Sequence, residues 1–454
     1  MQAGEERLVA ALGQWRRPGV VLVAALAAAV REAVLDGRLR TGGRLPAERR
    51  LAAALGVSRG TVVAALTELR EGGWVRTRQG SASTLRLPPP LAEPIAPVSA
   101  SGAMGVIDLR RAVPAAPQEA FHAAMLRVCE QAGPVLAEDG EPGPGLASLR
   151  SLIARRYTGQ GLATLPEQIL ITSGARAAFA LLCAYLRPRV AAVESPTFFD
   201  VLSLLRGAGS TAITVAPFGV GSQGWDLDQL ADAFAAARGG LAYLTPDFHN
   251  PTGALMTVSA RRTVAELAAR ERITLIADET LRELDLRADP APPPRIGGAV
   301  LIGSASKTLW GGLRIGWVRG PASLIGRLGA HPLCGPLSAA PTQQLLAVEL
   351  LAGLEPLLVR RRAELRRRRD HLAGLLAGDE RWHFALPQGG LALWLRLSGA
   401  RADEVAAAMG REGVSLTPGP RFAADATLIH HLRVPYTPAL PALERVAAAL
   451  AAAC

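Results

Sequence analysis

From Val106 to the C-terminus, short apolar runs of strand character alternate with Ala-, Leu- and Arg-rich stretches of helical character. The runs include QILIT, RVAAVE, GLAYLT, ITLIAD and AVLIGS. Such alternation builds βαβ units, and these assemble into a mostly parallel sheet with helices on its faces. An α/β fold is therefore expected for the greater part of the chain. No repeat of solenoid period competes with this reading.

A chain of 454 residues exceeds one ordinary core, and its composition divides it in three. Residues 1–86 carry short helical patterns with a basic tail. Residues 87–105, LPPPLAEPIAPVSASGAMG, read as a semi-stiff proline-rich linker, and residues 106–454 form the alternating part. Cys129, Cys183, Cys334 and Cys454 show neither metal-ligand nor redox spacing, so no metal is expected and a reducing compartment fits. Arg16-Arg17 followed by the apolar run Val20 to Val30 imitates a signal peptide, but eleven residues cannot span a bilayer. Leu22, Leu26 and Val30 keep helical spacing there, as in the first helix of a soluble domain. A cytoplasmic protein without a membrane partner is expected.

The formal charge of +11 is unevenly spread: residues 37 to 86 hold ten arginines against Glu48, Glu68 and Glu71. A cationic excess confined to one segment is the footprint that nucleic-acid phosphates require. Within that segment Leu22 to Leu35 reads as a helix, GRLRTGGRLPAE as a connector, and Glu48 to Leu55 as a second helix ended by Gly56. A third helix follows from Ser58 to Glu71, with Val62, Val63, Leu66 and Leu69 facing inward, and GGWVRTRQGSASTL forms two strands around Gln79-Gly80.

These are the parts of a helix-turn-helix with a wing. The third helix would enter the major groove by its N-terminal end, bringing Ser58, Arg59 and Thr61 to bases or phosphates. Arg44, Arg49, Arg76 and Arg78 would anchor the DNA backbone. A helical protein-interaction domain with a solvated basic face is the competing reading. The string GGRLPAERRLAAALGVSRGTVVAALTELREGGW decides against it, because it resembles the winged-helix domain of the GntR regulators over about sixty residues.

Lys307 is the only lysine in a chain whose lysines and arginines total 50. Arginine cannot lose its proton at useful pH, whereas a lysine whose site lowers its pKa becomes an amine nucleophile. Its context, AVLIGSASKTLWGGLRIGWV, is a strand running into a small-residue loop with Ser304, Ser306 and, further on, Arg314. An amine beside hydroxyl and guanidinium groups able to hold a phosphate suits pyridoxal phosphate (pyridoxal 5'-phosphate).

Four further motifs agree with that cofactor. ITSGARAAFALL places Ser173-Gly174-Ala175-Arg176 at a helix N-terminus, where backbone amides bind phosphate. VESPTFF offers Phe198 or Phe199 to a ring face, and LTPDFHNPTG turns sharply at Asn250, whose amide can donate to a ring oxygen. ITLIADET ends a strand on Asp278, whose carboxylate can pair with a pyridine nitrogen and keep it protonated. All lie at strand C-terminal ends, where open α/β sheets place ligands.

Together these motifs resemble fold type I aminotransferases over roughly residues 106 to 450, and the fusion resembles the MocR group of GntR regulators. The resemblance implies a mostly parallel sheet with a smaller α+β subdomain. It implies Lys307 as the internal aldimine and catalytic residue, Asp278 as the pyridine partner and Asn250 at the ring oxygen. Gly174, Ala175, Arg176, Ser304, Ser306 and Arg314 become the phosphate cradle, Phe198 the stacking ring, and Arg433 in HHLRVPY the clamp for an effector carboxylate. Two positions depart from the family: Phe198 stands where a tyrosine is usual, and Thr280 and Leu281 follow Asp278 where another tyrosine is usual.

The run RRRAELRRRRD, Arg360 to Asp370, reads as a solvated basic helix face, with a second DNA or dimer contact as the alternative. The expected function is a homodimeric regulator that binds operator DNA and senses pyridoxal phosphate or an amino compound. A working aminotransferase with an appended DNA-binding module is the alternative, and a regulator with a dead pocket is disfavoured by the intact Lys307, Asp278, Asn250 and Arg314.

Overall fold

The computed structural model describes residues 3–77, 82–88, 105–140, 143–207, 213–221, 223–425 and 427–454. Arg78, the Gln79-Gly80 turn and linker residues 89–104 lie outside the described residues.

The N-terminal unit comprises α1 (Ala3–Leu12), α2 (Leu22–Leu35), α3 (Glu48–Leu55) and α4 (Arg59–Glu71), followed by the antiparallel pair β1 (Val75–Arg76) and β2 (Thr84–Leu85). The helix expected to be first is therefore second. The helix before it brings Leu8 and Leu12, one turn apart, into the same core as Leu26, Leu51 and Leu66. On α4 the inward residues are Val62, Ala65, Leu66 and Leu69, while Val63 is only half-buried. The inward stripe follows the helical period, and Ala65 falls closer to it than Val63.

The turn between α3 and α4 is fixed from both sides. Gly56 adopts φ +63°, a left-handed conformation that glycine takes without steric cost. Ser58 caps α4 by accepting the Thr61 N–H at 3.1 Å. From outside, Arg16 Nη2 donates to the carbonyls of Leu55 and Gly56 at 3.1 and 2.9 Å.

A short strand, β3 (Ile107–Asp108), leads into an eight-stranded sheet. Its strands are β4 (Ile169–Thr172), β5 (Val190–Ser195), β6 (Thr214–Gly221), β7 (Gly224–Trp225), β8 (Leu241–Leu244), β9 (Thr274–Asp278), β10 (Val300–Ser304) and β11 (Gly316–Arg319), in the order β4-β11-β10-β9-β8-β5-β6-β7. The strands from β10 to β6 run parallel, as the alternating pattern predicts. β11 runs antiparallel to both of its neighbours. Residues 305–315 joining β10 to β11 are too few for a crossover, so the chain returns directly beside the strand it left. Strands β4, β8 and β10 are buried throughout, between two apolar clusters that cover the two faces.

A smaller α+β unit completes the chain. It contains β12 (Trp382–His383), β13 (Ala392–Leu397), β14 (Val414–Ser415), β15 (Thr417–Pro418) and β16 (His431–Pro435), with the antiparallel sheet order β12-β13-β16-β15. β14 pairs in parallel with β3, which ties the start of the large unit to this one. Helices Leu354–Leu376, Ala402–Arg411 and Leu440–Ala453 cover the small sheet. Among the described residues no single helix is long and apolar enough to cross a membrane.

The run Arg360 to Asp370 is not a solvated face. Arg361 donates to the carbonyls of Ala115 and Leu309, Arg362 to Glu283, Arg366 to Leu286 and Arg287, and Arg369 to Pro387. Irregular segments packed beneath this helix carry carbonyls without ladder partners, and guanidinium donors satisfy them. Arg360 and Arg367 alone of the seven arginines remain exposed.

The N-terminal unit rests on the small unit at a junction and also reaches the large unit, where Arg7 pairs with Asp228 at 3.7 Å. The Leu428 N–H donates to the Leu35 carbonyl at 2.7 Å, Thr41 Oγ1 to Asp425 Oδ2 at 2.6 Å, and Arg396 pairs with the buried Asp36 at 2.8 Å. Arg40 faces Asp425, Asp232 and Asp226 from the same side, and its burial lowers its pKa. The basic segment thus spends part of its charge inward.

Candidate cofactor site and DNA-binding surface

A cavity of about 610 Å³ opens between the large and small units at the C-terminal ends of the parallel strands. The sequence-predicted residues Gly174, Ala175, Arg176, Phe198, Asn250, Asp278, Ser304, Ser306, Lys307, Arg314 and Arg433 all line it. They arrive in groups from several separate loops and strand ends, Gly174–Arg176 on one and Ser304–Lys307 on another, which is how an open α/β sheet concentrates chemistry.

Lys307 lies in the return between β10 and β11, and its Nζ donates to the Ala112 carbonyl at 2.8 Å. Burial, then the charges of Arg433 and Arg111, lower its pKa to about 7, so a neutral amine is available near physiological pH. Ser304 is spent on the loop itself: its Oγ donates to the Ile315 carbonyl at 2.9 Å and accepts the Ser306 N–H at 3.1 Å. It positions the loop and lies 3.0 Å from the half-buried Ser306 hydroxyl, and both residues line the cavity.

Opposite that loop, the helix Ala175–Leu186 begins after Gly174, at φ +118°. A side chain on Gly316 would come within 2.5 Å of the Gly174 carbonyl carbon, so only glycine lets β11 approach this helix start. A Cβ on Gly174 would sit 3.6 Å from the Arg314 guanidinium. Helix-terminal amides and an exposed guanidinium thus converge, the donor set a phosphate needs. Arg176 pairs loosely with Asp200 at 3.6 Å.

Asp278 ends β9, and its carboxylate accepts the Tyr243 hydroxyl at 2.5 Å and the Thr280 N–H at 2.8 Å. Burial raises its pKa, and a pyridinium N–H beside it would restore the charged form. Thr280 and Leu281 line the cavity without supplying a phenol. Phe198 packs against Phe199 with ring centroids 4.9 Å apart.

Arg433, on β16, is 1% exposed. Its Nη2 donates to the Arg110 carbonyl at 2.6 Å and its Nη1 to Asn250 Oδ1 at 3.3 Å, and its Cζ lies 4.8 Å from the Phe422 ring centroid. Nε has no hydrogen-bond partner among the described residues, and no carboxylate pairs with the group. Burial lowers its pKa to about 10. An unpaired buried charge is costly and a carboxylate would relieve it, so the arrangement suits an anion. The residues present therefore fit pyridoxal phosphate together with a carboxylate-bearing ligand.

The chain matches the family "Aminotransferase class I and II" over residues 114–450 and "Bacterial regulatory proteins, gntR family" over residues 22–85. It belongs to the aminotransferase class I and II family, fused to a GntR module as in the MocR regulators. YdcR of Escherichia coli K12, an uncharacterized HTH-type transcriptional regulator, is 30% identical over 87% of this chain and 91% of its own. YisV of Bacillus subtilis, with the same description, is 28% identical over 85% and 86%. Among solved structures, the α-aminoadipate aminotransferase LysN of Thermus thermophilus superimposes with a TM-score of 0.69 at 24% identity, covering 77% of this chain and 93% of its own.

On the regulator's other surface, Arg44, Arg49 and Arg76 are exposed beside α4 and the wing strands. Arg59, at the start of α4, is exposed and pairs with Glu48 at 3.3 Å. Ser58 and Thr61 hydrogen-bond each other at 2.9 Å, and Ser58 also caps the helix, so its hydroxyl is engaged within the turn.

Three contributors escaped sequence reading. Tyr243 is the one side chain with a hydroxyl in the apolar strand β8, a signal that was available. Phe422, under Arg433, and the Arg110–Ala112 strip, against Arg433 and Lys307, carry no local motif; only the fold brings them to the cavity.

Proposed function

We propose that this chain is a homodimeric DNA-binding transcriptional regulator whose signal is pyridoxal phosphate, or an amino compound joined to it, held covalently through Lys307. The working units are residues 1–86 for DNA, 87–105 as linker and 106–454 for effector and dimerisation. Pyridoxal phosphate supplies an aldehyde that amines join and a pyridine ring that withdraws electrons. Lys307 offers the amine, Asp278 holds a proton at the ring nitrogen, and Arg176, Arg314 and the Gly174–Ala175 amides take the phosphate. Arg433 orients the effector carboxylate.

The observation that carries this reading is the buried Arg433, anion-seeking and linked to the DNA-binding unit. Its ring neighbour Phe422 begins the segment that ends in the junction: Phe422 packs on Trp394, Trp394 stacks on His431, and Leu428 and Asp425 hold Leu35 and Thr41. A ligand that draws on Arg433 has a short path of packed groups by which to favour one placement of α2 over another.

A working aminotransferase remains the second reading, favoured by the lowered pKa of Lys307, which suits proton transfer. Incubating the purified chain with pyridoxal phosphate is expected to give a visible absorbance band that Lys307→Ala lacks. A colourless wild-type protein contradicts both readings. Catalytic turnover of an amino donor and an oxoacid, without any effect on DNA binding, favours the second.

A further inference from the structure

The Arg110–Ala112 strip is pinned at both ends of the candidate ligand position. Its Arg110 carbonyl accepts Arg433 Nη2 at 2.6 Å, and its Ala112 carbonyl accepts Lys307 Nζ at 2.8 Å. The following turn is closed by the Val113 N–H on the Arg111 carbonyl at 2.9 Å, and Val113 packs so tightly on Gly311 that a Cβ there would meet Cγ1 at 2.9 Å. Arg111 is therefore held by its backbone midway between a carboxylate station and an amine station.

An α-amino acid bound at those two stations must send its side chain into the remaining cavity, whose wall includes Arg111. The other cations there are already matched. Arg110 pairs with Asp108 at 2.6 Å; Arg176, loosely paired with Asp200 at 3.6 Å, and Arg314 face the phosphate position, and Arg433 the α-carboxylate. Arg111 makes no side-chain hydrogen bond or ion pair among the described residues, and it is exposed to the cavity mouth. Its charge nevertheless reaches the interior, since it contributes to lowering the Lys307 pKa. Asp108 lies within its electrostatic reach but is bonded to Arg110, and a planar guanidinium fork without a hydrogen-bonding partner matches a second carboxylate.

We infer that Arg111 determines effector specificity, selecting amino acids that carry a second carboxylate on the side chain. This rests on the proposed roles of Lys307 and Arg433. The test titrates the full chain, loaded with pyridoxal phosphate, with glutamate and 2-aminoadipate and with the neutral isosteres glutamine and norleucine, following the shift of the visible band. Wild type is expected to favour the dicarboxylates by about tenfold or more, the worth of one charge-assisted hydrogen-bonded pair.

In Arg111→Gln the ratio of dicarboxylate to neutral affinity is expected to fall to near one, and in Arg111→Lys to an intermediate value. A wild type without the preference, a band that moves with neither class, or an unchanged ratio in Arg111→Gln overturns the inference while leaving Lys307 as the attachment point. Absence of the band overturns the reading of Lys307 itself.

Discussion

On the winged-helix surface Arg44, Arg49 and Arg76 stand exposed in water, whereas in the cavity Arg433 is 1% exposed and holds one nitrogen without a partner among the described residues. The same side chain does opposite work in the two places. Exposed cations act by number: each neutralises a phosphate, is screened by salt and contributes modestly. The buried one, in the proposed reading, acts singly, because an unpaired buried guanidinium is costly and a carboxylate would relieve that cost. Arg361 and Arg369 add a third use, in which buried guanidinium groups satisfy carbonyls of the chain itself.

The contrast can be broken by substitution. Arg433→Gln is expected to weaken a carboxylate-bearing effector by about 30-fold or more while the visible band persists, since it removes one partner of a buried pair. An effect below threefold in a band titration would place Arg433 among the structural arginines. Arg59→Ala is expected to weaken promoter DNA by about tenfold and to lower the dependence of log affinity on log salt by about one if its partner is a phosphate. Gel-shift titrations at several salt concentrations check this, and unchanged binding would move the reading helix away from α4.

The smallest effect concerns Lys307. Only the neutral amine attacks an aldehyde, and the folded-state pKa is about 7, below the ordinary lysine value. Attachment of pyridoxal phosphate should therefore slow about fivefold from pH 7 to pH 6 and change less than about twofold from pH 7 to pH 8, as a single titration dictates. Stopped-flow absorbance measures it, and a rate still climbing steeply above pH 9 would show an ordinary, solvated lysine.

Much of this was legible where the signal is local. The turn glycine Gly56, the loop around Lys307 and the strand end at Asp278 each carry their meaning within a few residues, whereas Ser58, read as a DNA contact, caps α4. What stayed hidden depends on distant segments meeting. The antiparallel β11 follows from the short return after β10, and Phe422 reaches Arg433 only because β16 and the preceding turn fold over the cavity. The misread run at Arg360 shows the limit most plainly: a row of charges does not reveal which buried carbonyls will need donors.

The central claim is that a ligand joined through Lys307 changes the grip on DNA. The most direct measurement is the affinity of the full chain for its own promoter region, by fluorescence anisotropy, with and without pyridoxal phosphate and an amino acid that shifts the visible band. The expected change is about fivefold or more, the scale of an allosteric coupling, and it should vanish in Lys307→Ala. An affinity that is the same with and without ligand, or that changes equally in Lys307→Ala, would contradict the account.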